Sequence, residues 1–166
     1  MNAVRVLMLW VAALLAGCAG TGPEFKTEGV ATGLTPREAS TRAADITGTR
    51  VLWGGVIVNS TNLENATQLE VLGYPLDDNQ EPQTDAGPAG RFLVIEPGYL
   101  ETADYAPGRR ITLVGPVTGT RQGKIGESAY TYPVVDPDRI HLWPRAPTQR
   151  YTEPRFHFGV GVIFGR

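Results

Sequence analysis

A run of ten residues, 50–59 (RVLWGGVIVN), is apolar on both faces and carries a glycine pair at its centre. Apolar side chains on both faces mark a strand buried on both sides. Gly54 and Gly55 within it mark a bulge, a sharp bend or the close approach of another backbone, and small barrels turn their corners at such places. The rest of the chain agrees. Its 20 glycines and 13 prolines leave few stretches that favour helix and many short β-branched and aromatic runs between turns, the pattern of an all-β domain.

Residues 67–74 (TQLEVLGY) alternate, with Leu69 and Val71 on one face and Gln68 and Glu70 on the other. The polar stretch 60–66 joins this run to the first as a hairpin. A long acidic loop, 75–90, leads to a third strand at 91–96, and an irregular connection, 97–108, leads to a fourth at 110–119. Gly115 and Pro116 should end regular pairing at the far end of that fourth strand. A fifth strand, 128–135, turns through Asp136-Pro137-Asp138 into a short sixth, 139–143, expected to pair with the fifth. Ahead of the strands, Thr35-Pro36-Arg37-Glu38 is a helix start: Thr35 caps, Pro36 suits the first helical position and Glu38 completes a capping box. A short helix is expected over 36–44, before Gly48. Past the sixth strand, 144–154 is rich in Pro, Arg and Thr and reads as extended. Residues 156–164 (FHFGVGVIF) place Phe156, Phe158, Val160, Val162 and Phe164 on one face and Gly159 and Gly161 on the other. That run reads as an edge strand laid on the barrel, or as a strand that docks on a partner or on lipid.

The N-terminus carries an address. Arg5 gives a positive n-region, and Val6 to Ala16 is an apolar run of 11 residues, too short to span a bilayer, which takes roughly 20, and the right length for a cleaved leader. It ends in Leu15-Ala16-Gly17-Cys18, around the chain's single cysteine. These four residues resemble the lipobox of bacterial lipoproteins, in which the thiol receives diacylglycerol and cleavage before the cysteine makes it the acylated N-terminus. A plain secretory leader with an incidental cysteine is the alternative. Ala19, not aspartate, follows Cys18, which favours the outer membrane with the domain facing the periplasm. The expected organisation is a signal peptide at 1–17, an acylated tether at 18–34, a β-barrel domain at 35–144 and a Pro-rich segment with a C-terminal strand at 145–166. The Gly/Thr-rich tether would reach roughly 20 Å on average. The mature chain would hold 149 of the 166 residues, one domain's worth, with 14 basic against 17 acidic side chains. That charge gives no footprint for nucleic acid, and with Cys18 acylated no second thiol remains for a disulfide.

The strands and turns resemble the Slp family of starvation-inducible outer-membrane lipoproteins. The matching pieces are Trp53-Gly54-Gly55-Val56-Ile57 with Asn59, Thr67-Gln68-Leu69-Glu70-Val71 leading to Tyr74-Pro75-Leu76-Asp77, and Gly90-Arg91-Phe92. They continue with Gly98-Tyr99-Leu100-Glu101, Tyr105, Val114-Gly115-Pro116-Val117-Thr118-Gly119, Gly123-Lys124-Ile125-Gly126-Glu127, Tyr130, Tyr132-Pro133-Val134-Val135 and Trp143. The resemblance covers about 51–143 and the lipobox, and the run 156–164 is no part of it. It implies a small β-barrel of oligonucleotide/oligosaccharide-binding type, of about five to seven strands.

No motif for chemistry stands up. Gly126-Glu127-Ser128-Ala129-Tyr130 has a tyrosine where a nucleophile elbow needs its second glycine. Gly123-Lys124 has Thr118 at the first glycine position of a phosphate loop and Ile125 at the magnesium-binding one. His141 and His157 lie on separate segments with no thiol to join them in a zinc site. Asp77-Asp78-Asn79-Gln80-Glu81 lacks the glycine turn and final glutamate of a calcium loop and reads as a solvated loop. The expected role is therefore a periplasm-facing outer-membrane lipoprotein, structural or accessory, without catalysis, metal or cofactor beyond the acyl chains on Cys18. Its expected partners are the membrane and other envelope proteins or glycan. The alternative is a glycan- or small-ligand-binding module. Its candidate surface is Trp53, Tyr74, Arg91, Tyr99, Tyr105, Arg110, Tyr130 and Tyr132: rings of this kind stack on sugars, and arginine holds hydroxyl or carboxylate groups. The competing reading is that most of these rings fill the barrel or pack its ends.

Overall fold

The computed structural model describes residues 23–42 and 45–145. Cys18, most of the 144–154 stretch and the 156–164 run lie outside them. One short helix, α1 (Pro36–Thr41), precedes six strands: β1 (Arg50–Asn62), β2 (Ala66–Tyr74), β3 (Gly90–Pro97), β4 (Arg110–Ile125), β5 (Ser128–Val135) and β6 (Arg139–Leu142). The fold is all-β, a single barrel-like sheet.

Strand pairing runs in a ring. β1 pairs with β2, β2 with β3, β3 with β5, β5 with β4, and β4 back with β1. All of these are antiparallel except β3–β5, which is parallel and is made by Leu93 with Val134 and Val94 with Val135 alone. Side chains of alternate residues fill the inside of the ring: Val51, Trp53 and Ile57 from β1, Leu69 and Val71 from β2, Phe92 and Val94 from β3, with Ile111, Leu113, Val117 and Val135 completing the core. An apolar interior is the reverse of the polar lumen and apolar exterior of a transmembrane barrel.

The glycine pair in β1 sits where the ring turns. Residues 54–56 pair with β2 on one edge and β4 on the other, and a bulge follows between Ile57 and Asn59. A Cβ on Gly55 would lie 2.1 Å from the Leu72 carbonyl oxygen. Close approach of a second backbone is thus the reason for glycine there.

Several elements differ from expectation. The helix stops at Thr41 rather than at 44; the Ser40 and Thr41 hydroxyls donate to the Arg37 and Glu38 carbonyls, a competition that weakens helices. Its start is as expected, with Thr35 and Glu38 forming the full capping box. β4 does not end at 119. It passes Gly115 and Pro116, takes a bulge between Val117 and Gly119, and exchanges β1 for β5 as partner up to Ile125. β6 pairs with β4, not β5; β5 and β6 follow one another along β4, Val135 against Val117 and Arg139 against Val114.

The segment from 23 to 34, expected to be tether, packs on the domain. Phe25 is 3% exposed, its backbone bonds both ways with the Gln80 side chain (2.9 and 3.3 Å), and the Arg139 guanidinium lies 5.1 Å from its ring centroid. Val30 forms a bridge with Arg50.

Candidate functional site

Of the eight surface candidates, the structure brings Arg91, Tyr130 and Tyr132 together, around Glu70. Glu70 and Arg91 point outward from β2 and β3, where Leu72 faces Arg91 across the ladder. The β4–β5 hairpin carries its two tyrosines over them. Arg91 donates to Glu70 at 2.6 Å, both side chains half-buried, and the Tyr132 hydroxyl donates to the same carboxylate oxygen at 3.1 Å. Burial first, and then Glu70, push the Tyr132 phenol above its ordinary range, so it stays protonated at neutral pH and serves as a donor. The Tyr130 hydroxyl accepts from the Arg91 amide at 2.9 Å and donates to the Arg91 carbonyl at 3.2 Å. The two rings meet edge to face, with centroids 4.7 Å apart.

This cluster continues the ring closure. The β3–β5 ladder is short, and Tyr130 adds a side-chain rung to the β3 backbone beyond it. Beside the seam is a shallow cleft of about 270 Å³, lined by Arg37, Leu72, Pro88, Gly90, Arg91, Ile125 and Tyr130. It offers two guanidinium groups and apolar walls, one of the guanidiniums already donating to the Pro88 carbonyl from Arg37. It can hold a small hydrogen-bonding group, but it carries no nucleophile or base of its own.

The other candidates lie elsewhere. Trp53 is inside the ring, its plane tilted 59° to Phe92 at 5.2 Å, its indole N–H donating to the Leu34 carbonyl at 2.7 Å. Tyr74 ends β2, outside the cleft lining. Tyr99 and Tyr105 belong to the β3–β4 connection. Tyr99 is 70% exposed, its hydroxyl 3.3 Å from Glu101, whose charge raises the phenol's pKa. Tyr105 packs against the core, and burial raises its pKa. Arg110 starts β4 and is ion-paired with Glu81, beside a second and larger cleft. His141, the one histidine among the described residues, stands edge-on to Trp143, its pKa lowered by burial and then by Arg139. The Asp77 carboxylate folds back on its own loop, accepting from the amides of Asn79 and Glu81. Among the described residues no group of three or more His, Cys, Asp or Glu could hold a metal ion.

Glu70, the acid that organises the cluster, was legible only as an outward position in an alternating strand. Its contact with Tyr132 joins residues 62 apart in sequence, and no local pattern announces it.

A family model described as the outer membrane lipoprotein Slp family matches residues 15–161. The chain belongs to the Slp family of outer-membrane lipoproteins. The match begins at Leu15, first residue of the lipobox-like run Leu15-Ala16-Gly17-Cys18, and ends within the run 156–164. The chain is 39% identical over 99 residues to an uncharacterized protein of Haemophilus influenzae, covering 59% of this chain and 54% of that one. It is 32% identical to the uncharacterized lipoprotein YeaY of Escherichia coli (71% of this chain, 63% of that one). It is 26% identical to the outer membrane protein Slp of the same organism (70% and 62%). The chain thus spans less than two thirds of the length of each of these relatives.

Proposed function

We propose that Cys18 is acylated and that the protein displays its β-domain from the outer membrane into the periplasm, as an accessory of the envelope without catalysis. The observation that supports this reading is the start of the family match at Leu15, which takes in the lipobox-like run ahead of a domain already packed at Phe25. Glu38 is engaged in the helix cap and Glu70 and Glu81 in ion pairs, and the seam cleft is lined by no nucleophile or base, which supports a non-catalytic role. The experiment is expression of the full chain and of Cys18→Ser in a Gram-negative host with labelled palmitate, followed by separation of the two membranes on a density gradient. The wild type should take up label and sediment with the outer membrane. A Cys18→Ser protein that is still labelled and processed would show the anchor assignment to be wrong.

A second reading keeps the domain as a module for glycan or another small ligand. What favours it is the seam cleft, lined by Arg37, Arg91 and Tyr130 among apolar residues.

A further inference from the structure

The larger cleft, about 560 Å³, lies between the end of the β3–β4 connection, β1 and the chain leaving β6. Arg109, Arg110 and Arg145 line it together with Val56 and Thr84, and no acidic residue is among the lining. The chain as a whole has a formal charge of −2, whereas the titratable residues lining this cleft are all arginines. The neighbouring Glu81 meets Arg110. Arg109 gives its terminal nitrogens to neutral acceptors, the Asp104 carbonyl at 2.7 Å and the Trp143 carbonyl at 3.0 Å. Its Nε is buried without a partner. These bonds fix the Arg109 guanidinium in place while leaving its charge uncompensated. Arg110 donates in addition to the Pro144 carbonyl at 3.4 Å. Low-dielectric walls focus such a field on an incoming anion.

We infer that this cleft is a binding site for a phosphate group. Guanidinium forks match the oxygens of phosphate and carboxylate alike. Three guanidinium groups, brought from two chain segments, suit a tetrahedral phosphate approached from several sides better than a planar carboxylate. The volume is within the range of small-ligand sites. Glu81 occupies part of the Arg110 fork and acts as a resident competitor. The phosphate could come free in solution or on an anionic lipid headgroup, and the site is independent of whether Cys18 is acylated.

The test uses the full chain in zwitterionic detergent, titrated with inorganic phosphate and followed by amide chemical shifts, and in parallel phosphatidylcholine vesicles with and without phosphatidylglycerol. Shifts should cluster at Gly108, Arg109, Arg110 and Arg145. Arg145→Gln, at an exposed residue, should weaken binding about tenfold, the effect of one charge-assisted contact. Glu81→Gln should tighten it several-fold, whereas Glu64→Gln, the same charge change on the β1–β2 hairpin, should leave it within twofold. Binding only to phosphatidylglycerol vesicles, with the same response to the variants, supports the site with a headgroup as its source. Binding that is absent in both arms, that maps elsewhere, or that ignores Arg145→Gln and Glu81→Gln overturns the inference.

Discussion

Replacing Gly55 by alanine tests the geometry that closes the ring. The added Cβ would stand 2.1 Å from the Leu72 carbonyl oxygen, 2.8 Å from its carbon and 2.8 Å from a Val71 methyl. Two of these three atoms are backbone, in a strand fixed on its other edge by β3, and Gly55 is itself held by β2 and β4 together. Neither side can give by the ångström needed without breaking rungs of a ladder. Overpacking a well-packed interior costs about 1–3 kcal/mol, and a clash with the backbone of a strand held on its other edge belongs at the upper end, about 3 kcal/mol. For a chain of this size each kcal/mol moves the melting temperature by about 2–4 °C, so Gly55→Ala should melt roughly 10 °C below wild type. Gly87→Ala, with nothing within 4 Å of its Cβ, is the control and should melt within about 2 °C of wild type, as surface changes do. Thermal unfolding followed by far-ultraviolet circular dichroism reads both. A Gly55→Ala protein that melts with the control would mean that β1 and β2 do not approach as described, and the reading of the glycine pair as a corner would go with it.

Two carboxylates should give opposite pH dependences. Burial and then Asp136 raise the Glu96 pKa above its ordinary 4.5, so stability is fully present below that value and is lost as pH rises through the raised one; Glu96→Gln should therefore outlast wild type against urea at pH 7 and match it at pH 4. Hydrogen bonds from Thr35 lower the Glu38 pKa, so the advantage of wild type over Glu38→Ala should be present above pH 4.5 and vanish as pH falls through the depressed value. Phe25→Ala should cost about 3 kcal/mol in urea unfolding, the scale of a buried phenylalanine; an unchanged midpoint would return 23–34 to the status of a tether.

What the sequence made legible was local. The capping box is a contact between residues three apart, and strand positions follow from alternation, so α1 began where expected and β5 matched residue for residue. Long-range partners were not legible. Pro116 reads as a terminator because it lacks an N–H, yet it stands at Arg50, where β1 begins and β4 is about to change partners, so the missing donor costs the ladder little. Trp53 belongs to a run apolar on both faces, which hides which face is inner; the structure turns it inward against Phe92. In the sequence Arg91, Tyr130 and Tyr132 are separate polar and aromatic positions, and their meeting is made by the fold of the β4–β5 hairpin over β2 and β3. Arg109 closes an irregular connection and Arg145 lies in the Pro-rich exit, with no local pattern linking them; only the chain's return past β4 sets Arg145 beside Arg109 and Arg110.

Phe25 ties the fold to the proposed address. With the domain packed from Phe25 onward, four residues and thus five Cα–Cα steps separate Cys18 from Pro23, a reach of at most roughly 17 Å when extended. A domain tethered from residue 35 would stand off much further. Phe25 docks at Gln80 and Arg139, and Arg139 is aligned through Val114 with Leu52, near the start of β1. An acylated Cys18 would hold that end of the domain near the headgroups. The exposed Leu63 and Tyr99 lie toward the other end of β1, where the Gly98 amide donates to the Asn65 carbonyl at 3.0 Å. The position of an inserted spacer separates reach from stability. Twelve Gly/Ser residues placed between 22 and 23 should leave the melting temperature unchanged while raising a fluorophore on the β1–β2 hairpin away from a quencher in the bilayer. The same spacer between Phe25 and Val30 must loop out or undock one of them, and should lower the melting temperature about as far as Phe25→Ala does. Equal melting temperatures for the two insertions would mean that the domain begins after Val30 and that the short standoff is wrong.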